Sequence, residues 1–367
     1  MTNKLIGVDL FAGAGGLAYG ARSSKIDVRL AIELNQSSAN TYKFNHPNTK
    51  VVCKNIVDVT EININRNKSR LIVFGGPPCK GYSTSNQRTR NRKNPHNWLF
   101  LEFIRILKFF KPLPEWIVFE NVKGFLTTSD SYFFNLLLVK LKELDYQITY
   151  QTLNASDYGV PQNRNRFFLV GNRLGLEFVF PPPPSSPKIT VKEALEDLPY
   201  LRSGASKSLM NYRKKTSCKY AMQLRGELEK CNNNLVSLNS KLIVDRYKYI
   251  PQGGNWTNIP SELMTNYKDS SRCHTGIYYR LESNNPSVVI GNFRKNMLIH
   301  PTQHRGLSVR EAARLQSFPD NYIFQGTLGE QQQQVGDSVP PLLAEAIFKQ
   351  IVMINKKARN NRGLNGY

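Results

Sequence analysis

Short apolar runs alternate with helical patterns over the first half of the chain. The runs are rich in β-branched and aromatic residues, which is typical of buried strands, and they lie at 5–10, 28–33, 71–75, 116–120, 146–153 and 166–171. Helices are predicted over 15–23, 36–46, 98–110 and 131–144, and in the last two the apolar residues recur at steps of three and four. Such alternation predicts an α/β fold with a doubly wound, mostly parallel sheet.

The second half of the chain is less regular. Four consecutive prolines at 181–184 interrupt the pattern and predict a domain boundary. The segment 188–304 has little periodicity and predicts a smaller domain with many loops. Regularity returns at 308–318, where Ser308 and Glu311 have the spacing of a capping box, and a last helix is predicted over about 340–355.

Charge sets this chain apart from an ordinary globular protein. Its 367 residues carry a formal net charge of +23, which predicts a polyanionic partner. The sequence contains no apolar run of about 18 residues, so no membrane span is expected, and the N-terminus lacks the pattern of a signal peptide. Five cysteines at irregular spacing, without zinc-ligand spacing, predict a reducing cytosol, no disulfide framework and no metal.

Cys79 follows a predicted buried strand directly, in the sequence Gly-Gly-Pro-Pro-Cys. The two prolines stop the strand and stiffen its exit, and ligands of open α/β sheets bind beyond the carboxyl ends of the strands. A second strand ends in Glu120, which can bring a carboxyl group to the same edge. A lone cysteine is usually a small core residue, but this setting favours a chemical role.

A glycine-rich turn follows the first predicted strand. Residues 13–18 fit the dinucleotide pattern G-x-G-x-x-G/A, and Glu33 lies at the end of the second strand, where an acid binds ribose hydroxyls. These features predict an adenosine-type cofactor. They do not distinguish a nicotinamide or flavin nucleotide from S-adenosylmethionine.

Six segments, all in the family's order, resemble the cytosine-5 DNA methyltransferase family. They are 9–16, 75–79, 120–122, 162–166, 310–319 and 334–339. The resemblance covers residue 5 to about 350. It implies a Rossmann-like methyltransferase fold, S-adenosylmethionine as cofactor and double-stranded DNA as partner.

The resemblance also implies roles for four side chains. Cys79 would add to carbon 6 of cytosine, which activates carbon 5 toward a methyl group. Glu120 would hydrogen-bond the ring and supply a proton. Arg166 would reach the cytosine carbonyl and Glu120, while Arg164 would face another partner, and we expect the two arginine side chains to point to opposite faces of a strand. Lys80 stands where the family is expected to carry Gln, which leaves its role open.

Twelve cofactor contacts are implied in the same way, with Phe11 on the adenine and Glu33 on the ribose. The set is Phe11, Ala12, Gly13, Gly15, Gly16, Leu17, Glu33, Asn55, Ile56, Pro78, Asp337 and Ser338. Two of them depart from the family pattern, since Asn55 replaces a common Asp and Asp337 a common Asn.

The DNA contacts are expected in two regions. The long basic loop 81–98 would bind DNA phosphates and close over a base that is flipped out of the duplex. The segment 188–304, which corresponds to the family's variable target-recognition region, would recognise the DNA sequence. The candidates are Ser83, Arg88, Arg90, Arg92, Lys93, Arg272, Arg280 and Arg294. The predicted domains are 1–180 with 305–367 for catalysis and 181–304 for target recognition.

We therefore expect a cytoplasmic, monomeric DNA methyltransferase of restriction–modification type. Three alternatives differ from it in testable ways. A transfer-RNA methyltransferase of the same family shares the catalytic parts, a nicotinamide or flavin oxidoreductase shares the glycine-rich turn, and a catalytically inactive DNA-binding module shares the charge.

Overall fold

The computed structural model describes residues 4–78, 81, 82, 90–265, 276–291 and 293–364, and it divides into two units. The first unit comprises Met1–Asn154, Asn165–Pro184 and Pro341–Tyr367. The second comprises Ala155–Arg164 and Ser185–Pro340. The break predicted at the proline run therefore coincides with a boundary between the units.

One seven-stranded sheet forms the centre of the first unit. Its strands are β1 (Leu5–Leu10), β2 (Asp27–Glu33), β3 (Lys50–Cys53), β4 (Arg70–Gly75), β5 (Trp116–Asn121), β6 (Gln147–Asn154) and β7 (Asn165–Asn172). Their order is β3-β2-β1-β4-β5-β7-β6, and within it only β7 runs antiparallel to its neighbours. The order reverses between β1 and β4, and open α/β sheets bind ligands at such a switch point. The predicted doubly wound, mostly parallel sheet is confirmed.

Helices follow the strands in the predicted order. They are α1 (Gly16–Ser23), α2 (Gln36–Asn45), α3 (Phe100–Leu107) and α4 (Tyr132–Lys142). Phe103 of α3 is fully buried and packs edge-on against Phe119 of β5, with ring centroids 5.5 Å apart. Such packing places the apolar stripe of the helix on the sheet.

Strand β3 was not predicted from the sequence. It is only four residues long, it lies at the edge of the sheet, and none of its residues is fully buried. A short edge strand needs no apolar alternation, so its signal in the sequence is weak.

The second unit has little regular structure, as predicted for most of it. Its elements are α5 (Val191–Leu195), β8 (Met210–Asn211), α6 (Lys219–Arg225), β9 (Lys230–Cys231), α7 (Lys241–Lys248), α8 (Val309–Leu315) and α9 (Leu328–Asp337). The predicted capping box of α8 is present, because the Ser308 side chain accepts from the Glu311 N–H and Glu311 accepts from the backbone of Ser308. Helix α10 (Pro341–Leu364) returns to the first unit.

Helix α10 packs closely on α1 at Gly20. A Cβ atom on that glycine would lie 2.6 Å from Cβ of Ala344. The absence of a side chain at residue 20 therefore lets the two helices of the first unit approach each other.

Buried ion pairs hold α8 within the second unit. Arg314 contacts Asp197 at 2.9 Å and Asp320 at 2.6 Å, and all three side chains are fully buried. Arg305 and Glu311 form a second buried pair at 2.6 Å. Charges in a dry interior are stable only when they are paired, so these contacts define how the unit packs.

The assignment of 305–340 and 155–164 to the catalytic domain differs from the division in the structure. Both segments belong to the second unit. The physical reason for 305–340 is the ion pair of Arg314 in α8 with Asp197, and for 155–164 it is the donation of Arg164 to the carbonyls of Gly336 and Ser338. Such contacts between distant residues have no signature in local periodicity.

Acid is expected to destabilise the second unit through Glu311 and His300. Burial alone would raise the pKa of Glu311, but Arg305 outweighs it and lowers the pKa to about 2. Burial lowers the pKa of His300 to about 4. Both groups bind protons more readily when unfolded, so the free energy of unfolding should fall as the pH drops from about 6.5 toward 2.

The variant Glu311→Gln tests this dependence. Breaking a buried pair should cost about 3–5 kcal/mol at pH 7, and the difference from the parent should shrink between about pH 4.5 and 2. Urea unfolding at several pH values measures it. The control Glu143→Gln removes an exposed pair with Lys140 and should cost under about 1 kcal/mol. A Glu311→Gln penalty that does not change with pH would contradict the assignment.

Candidate active site

The register of the sheet brings three strand ends to one edge. Leu10 pairs with Gly75, and Gly75 pairs with Phe119. The residues that follow them, Phe11, Gly76 and Glu120, therefore lie side by side in the first unit. The parallel strands β1, β4 and β5 all present their carboxyl ends here, which is where such folds bind ligands.

Glu120 and Arg166 form an ion pair at this edge. Nε of Arg166 lies 3.0 Å from Oε1 of Glu120, and only about a tenth of each side chain is exposed. Because β7 is antiparallel to β5 and Glu120 pairs with Phe168, the start of β7 returns to the carboxyl end of β5. The structure thus brings together two of the four predicted catalytic side chains. The carboxyl group is shielded from water, and a positive charge is fixed beside it.

A glycine at residue 76 makes room for Glu120. A Cβ atom there would lie 2.4 Å from Oε2 of Glu120, which is far inside van der Waals contact. The glycine therefore allows the carboxyl group to sit against the turn that follows β4.

Alanine at residue 76 is expected to displace the Glu120 carboxyl and to lower the rate of reaction at least tenfold, because a misplaced catalytic group loses its geometry. Single-turnover kinetics with saturating substrates measure the rate. The control Gly306→Ala introduces a Cβ whose nearest neighbour is 3.7 Å away, and it should leave the rate unchanged. An unchanged rate in Gly76→Ala would show that the position of Glu120 does not limit the chemistry.

Asn121 ties the end of β5 to the proline turn. Its Nδ2 donates to the carbonyl of Pro77 at 3.1 Å, and the side chain is buried. The hydrogen bond fixes the chain two residues before Cys79. Cys79 and Lys80 lie outside the described residues. Pro78, expected to contact the cofactor, is half-buried at the end of this turn.

The glycine-rich turn after β1 has an unusual backbone. Phe11 has φ of 55°, in the left-handed region that bulky side chains rarely adopt, and Gly13 and Gly15 have φ of 53° and 90°. Strain of this kind persists where the surrounding structure enforces it and is common at binding sites. A Cβ on Gly13 would find no atom within 4 Å, so the turn faces open space.

Glu33 holds this turn from the second strand. Its Oε2 accepts from the Gly13 N–H and its Oε1 from the Asn35 N–H, both at 2.8 Å. The carboxylate therefore links the turn to Asn35, which caps the start of α2. The other predicted residues of the turn run from Ala12 into α1, with Gly16 and Leu17 buried in its first turn.

Asp9 was not singled out by the sequence analysis. It is fully buried below the turn, and neither carboxyl oxygen makes a hydrogen bond of normal geometry among the described residues. Burial raises the pKa of Asp9 well above its usual range, although the nearby Tyr42 hydroxyl lowers it. Burial therefore disfavours the charged form of this carboxyl group. Its position at the end of a buried strand was the available signal in the sequence.

Aliphatic residues follow both Glu33 and its paired strand β3. Ile56 is buried, while Leu34 and Val57 are more than half exposed although they are aliphatic. Asn55 accepts from the Val57 N–H at 3.3 Å and caps a short 3-10 helix, Ile56–Asp58. Exposed aliphatic side chains beside a carboxylate are suited to bind a nucleoside, with the aliphatic groups against the heterocycle and the carboxylate near the sugar. Leu34 was missed because an isolated exposed leucine is common on protein surfaces.

Arg164 holds backbone in the second unit. It is fully buried, and its Nη2 donates to the carbonyls of Gly336 at 2.8 Å and Ser338 at 3.0 Å. The prediction that the side chains of Arg164 and Arg166 point to opposite faces of a strand is wrong, because residues two apart on a strand share a face. β7 begins at Asn165, so Arg164 precedes the strand. Asp337 is the last residue of α9, and Ser338 follows it. Both were predicted to bind the cofactor.

Two arginines of the basic loop are anchored on the first unit. Arg90 donates to the hydroxyls of Thr127 and Thr128, at 3.0 and 3.2 Å, and Arg92 stacks 3.8 Å above the ring of Tyr132. The stacked guanidinium retains an exposed face, and Lys93 is exposed. The predicted residues Ser83 and Arg88 lie outside the described residues.

Arg280 is not placed to contact DNA, which corrects a prediction. It is 4% exposed, and its five N–H groups donate to four backbone carbonyls and a histidine ring. A guanidinium has no further donors. Arg294 is exposed, as a DNA contact requires, and Arg272 lies outside the described residues.

No helix among the described residues is long and apolar enough to cross a membrane. They contain no group of three or more His, Cys, Asp or Glu side chains that could hold a metal ion.

Comparison with known proteins gives concordant matches over nearly the whole chain. The family model for C-5 cytosine-specific DNA methylases matches residues 5–353. The chain is 33% identical to the type II methyltransferase M.DdeI of Desulfomicrobium norvegicum, over 94% of this chain and 88% of that protein. It is also 33% identical to M1.HphI of Haemophilus parahaemolyticus, over 95% and 87%.

A solved structure also matches both units of the chain. It is described as a DNA modification methyltransferase encoded within a prophage of E. coli, and it superposes with a TM-score of 0.78 at 27% identity, covering 96% of this chain and 100% of that one. With a shared fold and a family model that spans both units, the protein belongs to the C-5 cytosine-specific DNA methylases.

Proposed function

We propose that the enzyme transfers a methyl group from S-adenosylmethionine to carbon 5 of a cytosine within a specific duplex DNA sequence, as the modification enzyme of a restriction–modification system. The observation that carries the proposal is the buried Glu120–Arg166 pair beside the turn that leads to Cys79. A carboxyl group and a nucleophile at one strand edge are what activation of a pyrimidine ring requires.

In this proposal Cys79 is the nucleophile. Carbon 5 of cytosine is a poor nucleophile, and addition of a thiolate at carbon 6 converts the ring into an enamine that can attack an electrophilic methyl group. After the transfer, loss of the proton from carbon 5 re-forms the ring double bond and releases the thiolate. The cysteine is therefore regenerated, and the net change is one methyl group for one proton.

Glu120 would act on the opposite side of the ring. Its carboxyl group would hydrogen-bond N3 and the exocyclic amine and supply a proton as the thiolate adds at carbon 6. Arg166 would hold that carboxyl in position and reach the carbonyl oxygen of the base. Asn121 would keep the cysteine turn in register with Glu120 through its bond to Pro77.

The residues around the glycine-rich turn fit S-adenosylmethionine. When bound, this cofactor supplies a methyl group activated by a sulfonium. The carboxylate of Glu33 at the end of β2 suits ribose hydroxyls, and Phe11 with the aliphatic residues 34 and 57 suits the adenine. The open space at Gly13 leaves room for the methionine part.

Titration calorimetry tests the cofactor directly. S-adenosylmethionine should bind, and NAD should not. Glu33→Gln should weaken the binding at least tenfold, since hydrogen bonds to charged groups contribute about 1.5–3 kcal/mol. The control Glu143→Gln, at an exposed residue directly after α4, should leave the affinity unchanged. Heat on addition of NAD and none with S-adenosylmethionine would favour the oxidoreductase alternative.

Bisulfite sequencing of cellular DNA tests the proposed reaction. A host without cytosine methylation of its own, when it expresses this chain, should show protected cytosines in one recurring sequence. Purified enzyme should then transfer labelled methyl groups to duplex DNA and not to transfer RNA. Transfer to RNA alone would overturn the choice of substrate, and no transfer to either would overturn the proposal.

A further inference from the structure

A hollow in the second unit is formed by four short stretches of the chain between residues 255 and 298. It has a volume of about 380 Å³, and its walls include Asn255, Tyr279, Val288, Val289, Asn296 and Leu298. We call it the Asn296 hollow. All of these residues belong to the second unit, so the hollow is a property of that unit alone.

The backbone around the hollow is held in a strained form. Tyr278 and Met297 have φ of 56° and 51°, although both carry large side chains. The Tyr278 N–H donates to the carbonyl of Asn296 at 2.9 Å, and Arg246 donates to the Tyr278 hydroxyl at 2.8 Å. Tyr278 is fully buried in an apolar cluster that Met297 packs against. Enforced strain of this kind is common where side chains are presented to a ligand.

The polar groups that line the hollow differ in how they are used. The Asn255 side chain accepts from the Thr257 N–H at 3.0 Å, and the Tyr279 hydroxyl donates to Glu282 at 2.8 Å. The carboxamide of Asn296 makes no hydrogen bond within the described part of the chain, so it keeps a donor and an acceptor side by side. The aliphatic side chains of Val288, Val289 and Leu298 complete the wall.

Positive charge lies next to the hollow. Arg294 and Lys295 immediately precede Asn296, both are exposed, and neither forms an ion pair with any described residue. The protein as a whole has a net charge of +23. Unpaired cationic side chains beside a partly apolar hollow are suited to bind DNA, with the cations on the phosphates and the hollow next to a base.

We propose that the Asn296 hollow reads one adenine of the recognition sequence, with the Asn296 carboxamide as the specificity-determining group. A carboxamide matches the neighbouring N6 donor and N7 acceptor of adenine in the major groove. Arg294 and Lys295 bind the adjacent phosphates and position the strand. The inference rests on the proposed function, because it names how that enzyme selects its DNA.

The test compares the sites methylated by the parent and by Asn296→Ala, with bisulfite sequencing of DNA from cells and competition between purified duplexes. One adenine position of the parent's sequence should become degenerate, with discrimination reduced about 5- to 150-fold. Asn284→Ala, which removes an exposed asparagine outside the hollow, should keep the parent's sequence. Arg294→Ala should weaken binding to all duplexes alike and reduce the salt dependence by about one counterion.

Three outcomes separate the claims. An unchanged recognition sequence in a folded Asn296→Ala protein overturns the inference, and so does degeneracy confined to a G·C position. Thermal melting shows whether the variant is folded, and Asn296→Asp, which keeps the shape but loses the donor, gives a second measurement. Absence of methylation by the parent itself overturns the proposed function instead, and is recognised before any variant is compared.

Discussion

Replacement of Cys79 by alanine is expected to abolish methyl transfer, with the rate reduced to the background of the assay. Without the thiolate no bond forms at carbon 6, and carbon 5 stays too weakly nucleophilic to accept the methyl group. Transfer of labelled methyl groups to duplex DNA, at saturating cofactor, measures the effect. Binding of DNA and of cofactor should persist, since both depend on other side chains.

Cys218→Ala is the matched control for this substitution. Cys218 is a half-buried free cysteine in the second unit, and its side chain makes no capping hydrogen bond to α6. The control should retain the parent's rate. Substantial activity in Cys79→Ala, or unchanged DNA modification in cells, would fit the alternatives in which Cys79 does no chemistry.

The second large effect is expected from Glu120→Gln. The amide keeps the size of the side chain but cannot supply a proton to the ring, so kcat should fall about 10²- to 10⁴-fold. The affinity for cofactor should change little, because Glu33 and not Glu120 holds the glycine-rich turn. Single-turnover rates and equilibrium titrations separate the two quantities.

Arg166→Lys provides the comparison for this variant. A lysine keeps the positive charge near Glu120 but loses the planar guanidinium, so it should lower the rate less than Glu120→Gln does. If Glu120→Gln reacted at the parent's rate, the carboxyl group would have no part in proton transfer, and the ion pair would serve structure only.

Much of the fold could be predicted because its determinants are local. The strands that end at Leu10, Gly75 and Glu120–Asn121 are continuous apolar runs, and their ends mark the site. The expectation that these strand ends lie at one edge followed from the predicted parallel sheet, in which the carboxyl ends of the strands form the ligand-binding edge. For this reason the neighbourhood of the Cys79 turn and Glu120 was available from the sequence alone.

What the sequence could not provide depends on contacts between distant residues. Arg280 and Arg164 were expected to have functional partners, yet their guanidiniums bind backbone carbonyls deep in the second unit. An arginine in an irregular segment has the same local pattern whether it faces DNA or the interior. The Asn296 hollow was missed for a related reason, since its walls come from four short stretches that only the fold brings together.

The glycine-rich turn illustrates a mixed case. Its sequence predicted an adenosine-type cofactor, but the burial of Asp9 and the exposed Leu34 emerged only from the packing of α2 and the neighbouring strands. The sequence thus predicted the general role of the turn, while the surroundings of its ligand site became visible only in the structure.

The most direct measurement is to trap the protein on duplex DNA that carries 5-fluorocytosine at the target position and to map the attached peptide by mass spectrometry. Fluorine cannot leave as a proton does, so the covalent bond at carbon 6 should persist after methyl transfer. The account predicts an adduct on the peptide 71–80, through Cys79, that forms only with S-adenosylmethionine present and is lost in Cys79→Ala. An adduct on a peptide that holds another cysteine, or no adduct from an enzyme that methylates the unmodified duplex, would contradict it.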